Sequence, residues 1–170
     1  MQAATARRFP HVPAGTGEAY DVIGELLTFK VTSADTGGRF TVVELLAQPG
    51  GGPPLHTHPS AESFTILEGA FEFTGLEGGE PYTIRAAPGD TVYIPGGAPH
   101  AYKAVGATPG KTMLVLTPGT EMEGFFAEAG IPVTGKQPAG GGPPDIPAMI
   151  AVAQKHGPWL ASRPSSTSAA

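Results

Sequence analysis

The sequence contains no cysteine, which excludes disulfide bridges and thiolate metal ligands and is compatible with a reducing compartment. Basic residues are scarce, and the net charge of -5 argues against a nucleic-acid partner, because neutralising phosphates needs a basic face. No uninterrupted apolar run approaches bilayer-spanning length, and none follows Arg7 and Arg8 as a secretory signal would require. We therefore expect a cytoplasmic protein with no membrane association.

Glycine and proline, by contrast, are abundant and spread along the chain, with 25 and 19 copies. This distribution favours many short strands joined by tight turns over long helices, and it argues against wholesale disorder. A chain of 170 residues suits one domain with a real core. We predict a single domain over 1–170, made of an N-terminal arm (1–19), a β-barrel (20–118), a helical extension (119–160) and a disordered tail (161–170).

Alternating and β-branched apolar residues indicate a series of short strands separated by turns rich in glycine and proline. Spacing of this kind is typical of a sandwich or a barrel. A turn at Thr36-Gly37-Gly38-Arg39 is predicted to join the first two strands, since adjacent glycines accept positive φ. The predicted strands span residues 26–32, 40–47, 62–67, 70–74, 82–86, 91–94 and 113–116, and a further strand begins at Pro99.

Helical signals appear only after the last strand. Thr120 and Glu123 have the spacing of a capping box, and Gly130 supplies a stop for the first helix. A second short helix is predicted over 147–156, ended by Gly157. The first helix has an apolar stripe that is predicted to pack against the barrel, formed by Met122, Phe125, Phe126 and Ala129.

Three of the five histidines, His56, His58 and His100, lie in the central part of the chain. In extended backbone the side chains at i and i+2 share a face, so His56 and His58 point the same way. A lone histidine is ordinarily a structural residue, and we interpret His11 and His156 in that way. A helix around the central pair is excluded by three flanking prolines, Pro53, Pro54 and Pro59.

A glutamate opens the strand that follows this pair. Alternation puts Glu62, Phe64 and Ile66 on one face, so the carboxylate is expected beside an apolar wall. Antiparallel folding brings strands that are distant in sequence together, so Glu62 and the three imidazoles can converge on one ion. Such a site leaves coordination positions open for water or substrate. An empty, purely structural barrel is the alternative interpretation of these residues.

The same residues carry a family resemblance. Their spacing resembles the two-part signature of the cupin superfamily, here Gly50-x5-His56-x-His58-x3-Glu62-x6-Gly69 and Gly89-x5-Pro95-x-Gly97-x2-His100. The second motif usually ends with asparagine, whereas this chain has Lys103-Ala104-Val105 in that region. The resemblance spans about 26–118. It implies an all-β, cupin-type jelly-roll barrel (a double-stranded β-helix), to which the two short C-terminal helices predicted above are added. It also implies that one divalent transition-metal ion (Ni, Mn, Fe, Zn, Co or Cu) is held by His56, His58, Glu62 and His100.

The layout outside the motifs is similar to single-barrel cupins often described as quercetinase-like dioxygenases. The similarity covers Thr36-Gly37-Gly38, Leu67-Glu68-Gly69 and a helix with Phe125-Phe126. In the flavonol-cleaving members, the metal takes a deprotonated substrate oxygen, and a glutamate serves as both ligand and base. Carried onto this chain, the resemblance implies that Glu62 is the catalytic residue. It also implies a homodimer, since cupins commonly pair through their sheets.

We therefore hypothesise a metal-dependent monocupin enzyme, a dioxygenase acting on a small aromatic or enol-type substrate. Two alternatives stay open, because one barrel hosts many chemistries. One is a metal-dependent lyase, isomerase or cyclase that uses no oxygen, and the other is a non-catalytic small-molecule-binding cupin. The side chains expected to line an apolar substrate pocket are Phe64, Ile66, Phe71, Phe73, Tyr93 and Tyr102. We interpret Tyr102 as wall packing and not as an acid or base, and Glu44 as a solvated strand charge.

Overall fold

The computed structural model describes residues 9–134 and 146–156. This part contains the strands β1 Ala19–Val22, β2 Glu25–Val31, β3 Thr41–Ala47, β4 Ala61–Glu68, β5 Ala70–Glu77, β6 Glu80–Ala86, β7 Thr91–Ile94, β8 His100–Val105, β9 Gly110–Thr117 and β10 Ile131–Pro132. It also contains the helices α1 Ser33–Thr36, α2 Thr120–Ala129 and α3 Ile146–His156. None of these three helices has the length and apolarity needed to cross a bilayer. The predicted tail, 161–170, and the first eight residues of the predicted arm lie outside the described residues.

The strands form two antiparallel sheets. One sheet has the order β10-β1-β2-β3-β9-β4-β7, and the other has the order β6-β5-β8. Strand β9 pairs with both β3 and β4, so a late strand lies between two early ones, as in a jelly roll. The prediction of an all-β jelly roll with two short C-terminal helices is confirmed. Strands β1 and β10 are additions that the sequence pattern did not predict.

Side-chain alternation along the strands builds the core. Val43 and Leu45 of β3 are fully buried, and they belong to one apolar cluster with Phe64 of β4 and Phe71 of β5. Burying a side chain of this size contributes about 1.5–3 kcal/mol. Glu62 lies two residues before Phe64 and has the same parity, so the strand carries its carboxylate to the buried face as well.

One turn of helix, α1, directly precedes the glycine pair of the predicted turn at residues 36–39. The Thr32 hydroxyl accepts from the Asp35 backbone N–H, and the Asp35 carboxylate accepts from the Thr32 backbone N–H at 3.0 Å. This reciprocal pair is a capping box. Gly37 then ends the helix with a φ of +66°, a left-handed conformation that glycine adopts without a steric penalty. The glycine pair therefore turns the chain as predicted, but after a helix and not within a tight hairpin.

Glu123 holds helix α2 against the barrel, and it does not form the predicted capping box. Gly119 is the N-cap residue, and the helix has no side-chain cap. The Glu123 carboxylate instead accepts hydrogen bonds from the Ser33 backbone N–H at 2.7 Å and from the Thr41 hydroxyl at 2.8 Å. The capping-box prediction is wrong, because long-range contacts with α1 and β3 give Glu123 donors that the local sequence does not reveal.

The glycines that precede the histidine pair pack directly on β8. The Gly50 backbone N–H donates to the carbonyl of Ala104 at 2.9 Å, which brings the loop against the strand. Gly52 has a φ of +146°, and a Cβ added there would lie 2.0 Å from the carbonyl oxygen of Tyr102. Only glycine fits this position, since both the backbone conformation and the close approach exclude a side chain.

Replacing Gly52 with alanine is expected to lower the free energy of unfolding by about 3 kcal/mol or more, because backbone strain and a backbone clash add together. Urea unfolding of the purified variant measures the loss. Gly78→Ala is the matched control, since Gly78 also has positive φ but has no atom within 4 Å of an added Cβ. Equal losses in the two variants would show that the contact between Gly52 and Tyr102 is unimportant for stability.

Candidate metal centre

A backbone bridge brings two of the histidines together. The N–H of His56 donates to the carbonyl of His100 at 2.9 Å, and the N–H of His100 donates back to His56 at 2.8 Å. The N–H of Gly97 also donates to the carbonyl of His58 at 2.8 Å. The extended segment around His56 therefore runs antiparallel to the start of β8. These hydrogen bonds are the physical reason that motifs distant in sequence meet.

Three of the predicted donors, the histidines, lie close enough together to hold one ion. The ring nitrogens of His56, His58 and His100 lie within 4.8 Å of one another. Glu62 completes the group, with Oε1 at 3.3 Å from His58 Nε2 and Oε2 at 3.2 Å from His100 Nε2. His58, Glu62 and His100 are buried, whereas His56 is half-buried at the edge of the group.

Hydrogen bonds at the far side of two rings set their tautomers. His56 Nδ1 lies 2.8 Å from the carbonyl of Pro54, and His100 Nδ1 lies 2.8 Å from the carbonyl of Ala98. Each Nδ1–H donates to its carbonyl, which leaves the Nε2 lone pair for a metal ion. Neighbouring ligands in a metal's octahedral shell lie about 3 Å apart, because each bond is about 2.1 Å long. The distances from Glu62 to His58 and His100 match this spacing, and together with His56 these residues fit one divalent transition-metal ion.

A family model for the cupin domain matches residues 43–116. This segment of the chain is similar to a cupin domain. The matched segment contains all four donor residues and runs from β3 through β9.

One curated relative is the dimethylsulfoniopropionate lyase DddQ from Ruegeria pomeroyi, which is 48% identical over 48 residues. That match covers 28% of this chain and 22% of the lyase, so the chain spans less than a quarter of the relative. The similarity therefore concerns part of the cupin domain, and it leaves the reaction of this protein open.

Two solved structures resemble about two thirds of this chain. Oxalate decarboxylase from Bacillus subtilis has a TM-score of 0.53 and 22% identity over 65% of this chain and 31% of that one. Peruvianin-I, a cysteine peptidase from Thevetia peruviana latex, has a TM-score of 0.52 and 24% identity over 68% of this chain and 75% of that one. At these identities the likeness shows the fold alone.

Burial and charge favour the metal-binding forms of His56 and Glu62 but the protonated form of His100. Burial alone would raise the pKa of Glu62, but hydrogen bonds and charge from His100 and His58 outweigh burial and lower it to about 2. Burial is also the main cause that lowers the pKa of His56 to about 4, so this imidazole is neutral at neutral pH. Burial acts to lower the pKa of His100, yet the adjacent Glu62 carboxylate reverses the shift and raises it. An anionic carboxylate and neutral imidazoles are the ligand forms that divalent ions bind, so metal binding would displace the proton that His100 shares with Glu62.

An apolar cavity of about 190 Å³ opens onto the metal centre. It is slightly larger than an apolar cavity of about 150 Å³ that accepts benzene in another protein, so a single-ring compound fits. Its polar lining is Glu25, His56, Glu62 and Tyr102. Its apolar lining is Val22, Ile23, Leu27, Pro53, Pro54, Leu55, Leu114, Met122, Phe125, Phe126, Met149, Ile150 and Ala153.

The cavity walls differ from the expected ones. Of the six expected lining residues, Tyr102 alone lies among the lining side chains. Four of the other expected residues are buried in the hydrophobic core and do not line the cavity: Phe64, Ile66, Phe71 and Phe73. Tyr93 is 65% exposed, because the parity of β7 turns Val92 and Ile94 inward and Tyr93 outward. The walls come instead from β1, β2, the proline loop and the two C-terminal helices.

Glu25 is a polar residue of the cavity that the sequence pattern did not predict. Its side chain is buried, and Oε2 accepts a hydrogen bond from the Tyr102 hydroxyl at 3.0 Å. Burial raises the pKa of Glu25 to about 8. The hydrogen bond from Tyr102 acts to lower this pKa, whereas the negative charges of Glu62 and Asp21 act to raise it. A signal was present in the sequence, since Glu25 has the same parity as the buried Leu27, where an acidic residue is out of place.

The raised pKa of Glu25 predicts a stability that falls with pH. Between about pH 4.5 and pH 8 the unfolded chain has lost this proton while the folded protein keeps it, so rising pH favours unfolding. The Glu25→Gln variant does not titrate at this position. Relative to it, the free energy of unfolding of the metal-free wild type is expected to fall by on the order of 3 kcal/mol over this pH range. Urea unfolding of both proteins at several pH values measures the difference. Parallel profiles would mean that Glu25 is already ionised in the folded protein at low pH.

Proposed function

We propose that this protein is a metal-dependent dioxygenase that acts on a small aromatic or enol-type compound. The observation that carries the proposal is the opening of an apolar cavity onto three imidazoles and one carboxylate that fit a single ion. Pockets that bind small molecules combine apolar walls with a few convergent polar groups in this way. The donor set leaves coordination positions for a substrate oxygen and a second small ligand.

The cavity lining supports this substrate class. Among the described residues that line the cavity, none is lysine or arginine, so a small dianion would find no cationic partner apart from the ion. A largely apolar molecule with one ionisable oxygen suits the walls better, because its ring replaces water against Met122, Phe125 and Phe126. The volume of about 190 Å³ favours one ring over the three rings of a flavonol.

The roles of the donor residues follow from their positions. His56, His58, His100 and Glu62 would hold the ion, which supplies Lewis acidity to a bound phenol or enol oxygen. Glu62 is ionised, so its carboxylate would accept the proton that the substrate hydroxyl releases on binding. The apolar walls from α2 and α3 would keep water away from the reacting oxygen and hold the ring in one orientation.

A second candidate is a metal-dependent lyase, isomerase or cyclase that uses no oxygen. The local identity of 48% to dimethylsulfoniopropionate lyase DddQ favours it. In this case the same donors hold the ion, and Glu62 removes a proton next to a carbonyl or carboxylate group. Because the match covers only 22% of the lyase, we keep this candidate second.

Oxygen dependence separates the two candidates. Metal-free protein would be loaded separately with each candidate ion and screened with catechols, enols and diketones in an oxygen electrode and under nitrogen. Oxygen uptake equal to product formation supports the dioxygenase, and turnover that persists under nitrogen supports the second candidate. Tight binding without conversion with every ion would indicate a non-catalytic binding protein. His11→Ala is the control, since His11 is exposed and lies outside the centre.

We also propose a homodimer, which the resemblance to cupins implies. Tyr82 and Ile84 support it, because both are exposed on β6, an edge strand of the three-stranded sheet. Sedimentation that gives a single species of 17.3 kDa would contradict the dimer. The cytoplasmic location stays a prediction.

A further inference from the structure

A buried carboxyl group in the cavity wall is only half satisfied. Glu25 is 3% exposed, and its Oε2 atom accepts a hydrogen bond from the Tyr102 hydroxyl at 3.0 Å. Its Oε1 atom has no hydrogen-bond partner among the described residues. Both Glu25 and Tyr102 line the cavity that opens onto the metal centre. Buried polar atoms almost always have a partner, so the open oxygen calls for one that enters through the cavity.

The surroundings of Glu25 argue against a purely structural pair. On β2 the next residues of the same parity are Leu27 and Phe29, and both belong to the apolar core. An apolar residue at position 25 would extend this face without a desolvation cost. A carboxyl group there has to be desolvated, which costs free energy. Tyr102 fixes the orientation of Glu25 by holding Oε2, which leaves Oε1 as the adaptable side of the group.

We propose that Glu25, held by Tyr102, binds a hydroxyl group of the substrate at a point remote from the metal ion. This inference rests on the proposed function, and it adds a second polar anchor to the metal-bound oxygen. A hydroxyl suits the position because it donates to a carboxylate and accepts from a carboxylic acid, so it binds in either protonation state. The substrate class then narrows to a one-ring phenol or enol that carries a second hydroxyl group.

Two probe pairs test the second anchor. Kojic acid and allomaltol bind metal ions through the same hydroxyketone and differ only by one remote hydroxyl group. Protocatechuyl alcohol and homocatechol differ in the same way on a catechol ring. Calorimetric titration of nickel-loaded protein under nitrogen gives a dissociation constant for each probe. In at least one pair, the wild type is expected to bind the hydroxyl-bearing member about tenfold more tightly.

Variants locate that preference at Glu25. Glu25→Leu is expected to bind both members of a pair equally, and Glu25→Gln, which keeps a donor and an acceptor, is expected to retain part of the preference. Tyr102→Phe leaves the carboxyl in place without its partner, and we expect the preference to fall about threefold. Glu44→Gln, on the outward parity of β3, is the control and should not change the ratio. The nickel content of every variant is measured in parallel.

The outcomes separate this inference from the proposed function. Equal binding of both members of both pairs by the nickel-loaded wild type would overturn the role of Glu25 and leave the metal centre intact. A preference that survives Glu25→Leu unchanged, or that survives both Glu25→Gln and Tyr102→Phe unchanged, would overturn it as well. Failure of the wild type to take up nickel and to bind any probe would instead overturn the proposed function, and the inference with it.

Discussion

Replacing His58 with alanine is expected to remove the metal ion from the protein. His58 is 2% exposed, and its Nε2 atom lies 3.3 Å from the Glu62 carboxylate, so the substitution removes one donor from the buried part of the group. We expect the affinity for a divalent ion to fall by at least about 100-fold, since even partners outside the coordination shell contribute 10–100-fold. Turnover should fall below detection, because the substrate oxygen then has no ion to bind.

The measurements are elemental analysis after dialysis and the metal-dependent rise in melting temperature. A 100-fold loss of affinity corresponds to about 2.7 kcal/mol less stabilisation at saturating ion, which a thermal shift resolves. Each variant is compared with its own metal-free form, so the cavity left by the missing ring does not enter the comparison. His11→Ala should behave as the wild type. A His58→Ala protein that retains one ion per chain would place metal binding elsewhere.

Replacing Glu62 with glutamine is expected to lower kcat/KM by about a thousandfold, because the amide cannot accept the substrate proton. The protein should still bind metal, with an affinity reduced by about tenfold through the loss of one anionic ligand. The pKa of His100 should fall in this variant, since the Glu62 carboxylate is what raises it. Steady-state kinetics at saturating ion separate the catalytic loss from the weaker metal binding.

Glu62→Asp and Glu44→Gln are the controls for this substitution. Aspartate keeps the charge and loses reach, so it should recover part of the metal affinity and of the rate. Glu44 carries the same charge on the outward parity of β3, and its loss should change neither quantity. If the glutamine variant kept more than about a tenth of the wild-type rate, Glu62 would be a ligand without a role in proton transfer.

Local backbone rules were sufficient to predict much of the centre. Extended backbone between prolines puts His56 and His58 on one side, and the period of two in β4 turns Glu62 inward with Phe64. These orientations depend only on neighbouring residues in the sequence, so the spacing of the motif was sufficient to predict them. Their role as metal ligands stays a prediction until an ion is measured.

Other expectations failed where the choice lay between two faces or two partners. Strand β7 has four residues, so its alternation left open which face is inward, and Tyr93 proved to be exposed. Glu123 has the spacing of a local cap but is held by Ser33 and Thr41, which are distant in sequence. For Glu123 long-range contacts outweighed the local capping preference, whereas for Tyr93 the inward face of β7 was set by its packing in the sheet beside β4.

Spacing along the chain was enough to predict a sandwich or barrel, and the motif resemblance implied the jelly roll and the candidate donor residues. What those candidate donors face depended on the folded structure. The packing of α2 and α3 built the apolar cavity, and the pairing of Glu25 with Tyr102 gave that cavity a second polar group. Periodicity indicates that a side chain is buried, but the element against which it packs is set by contacts between distant segments, which no local pattern records.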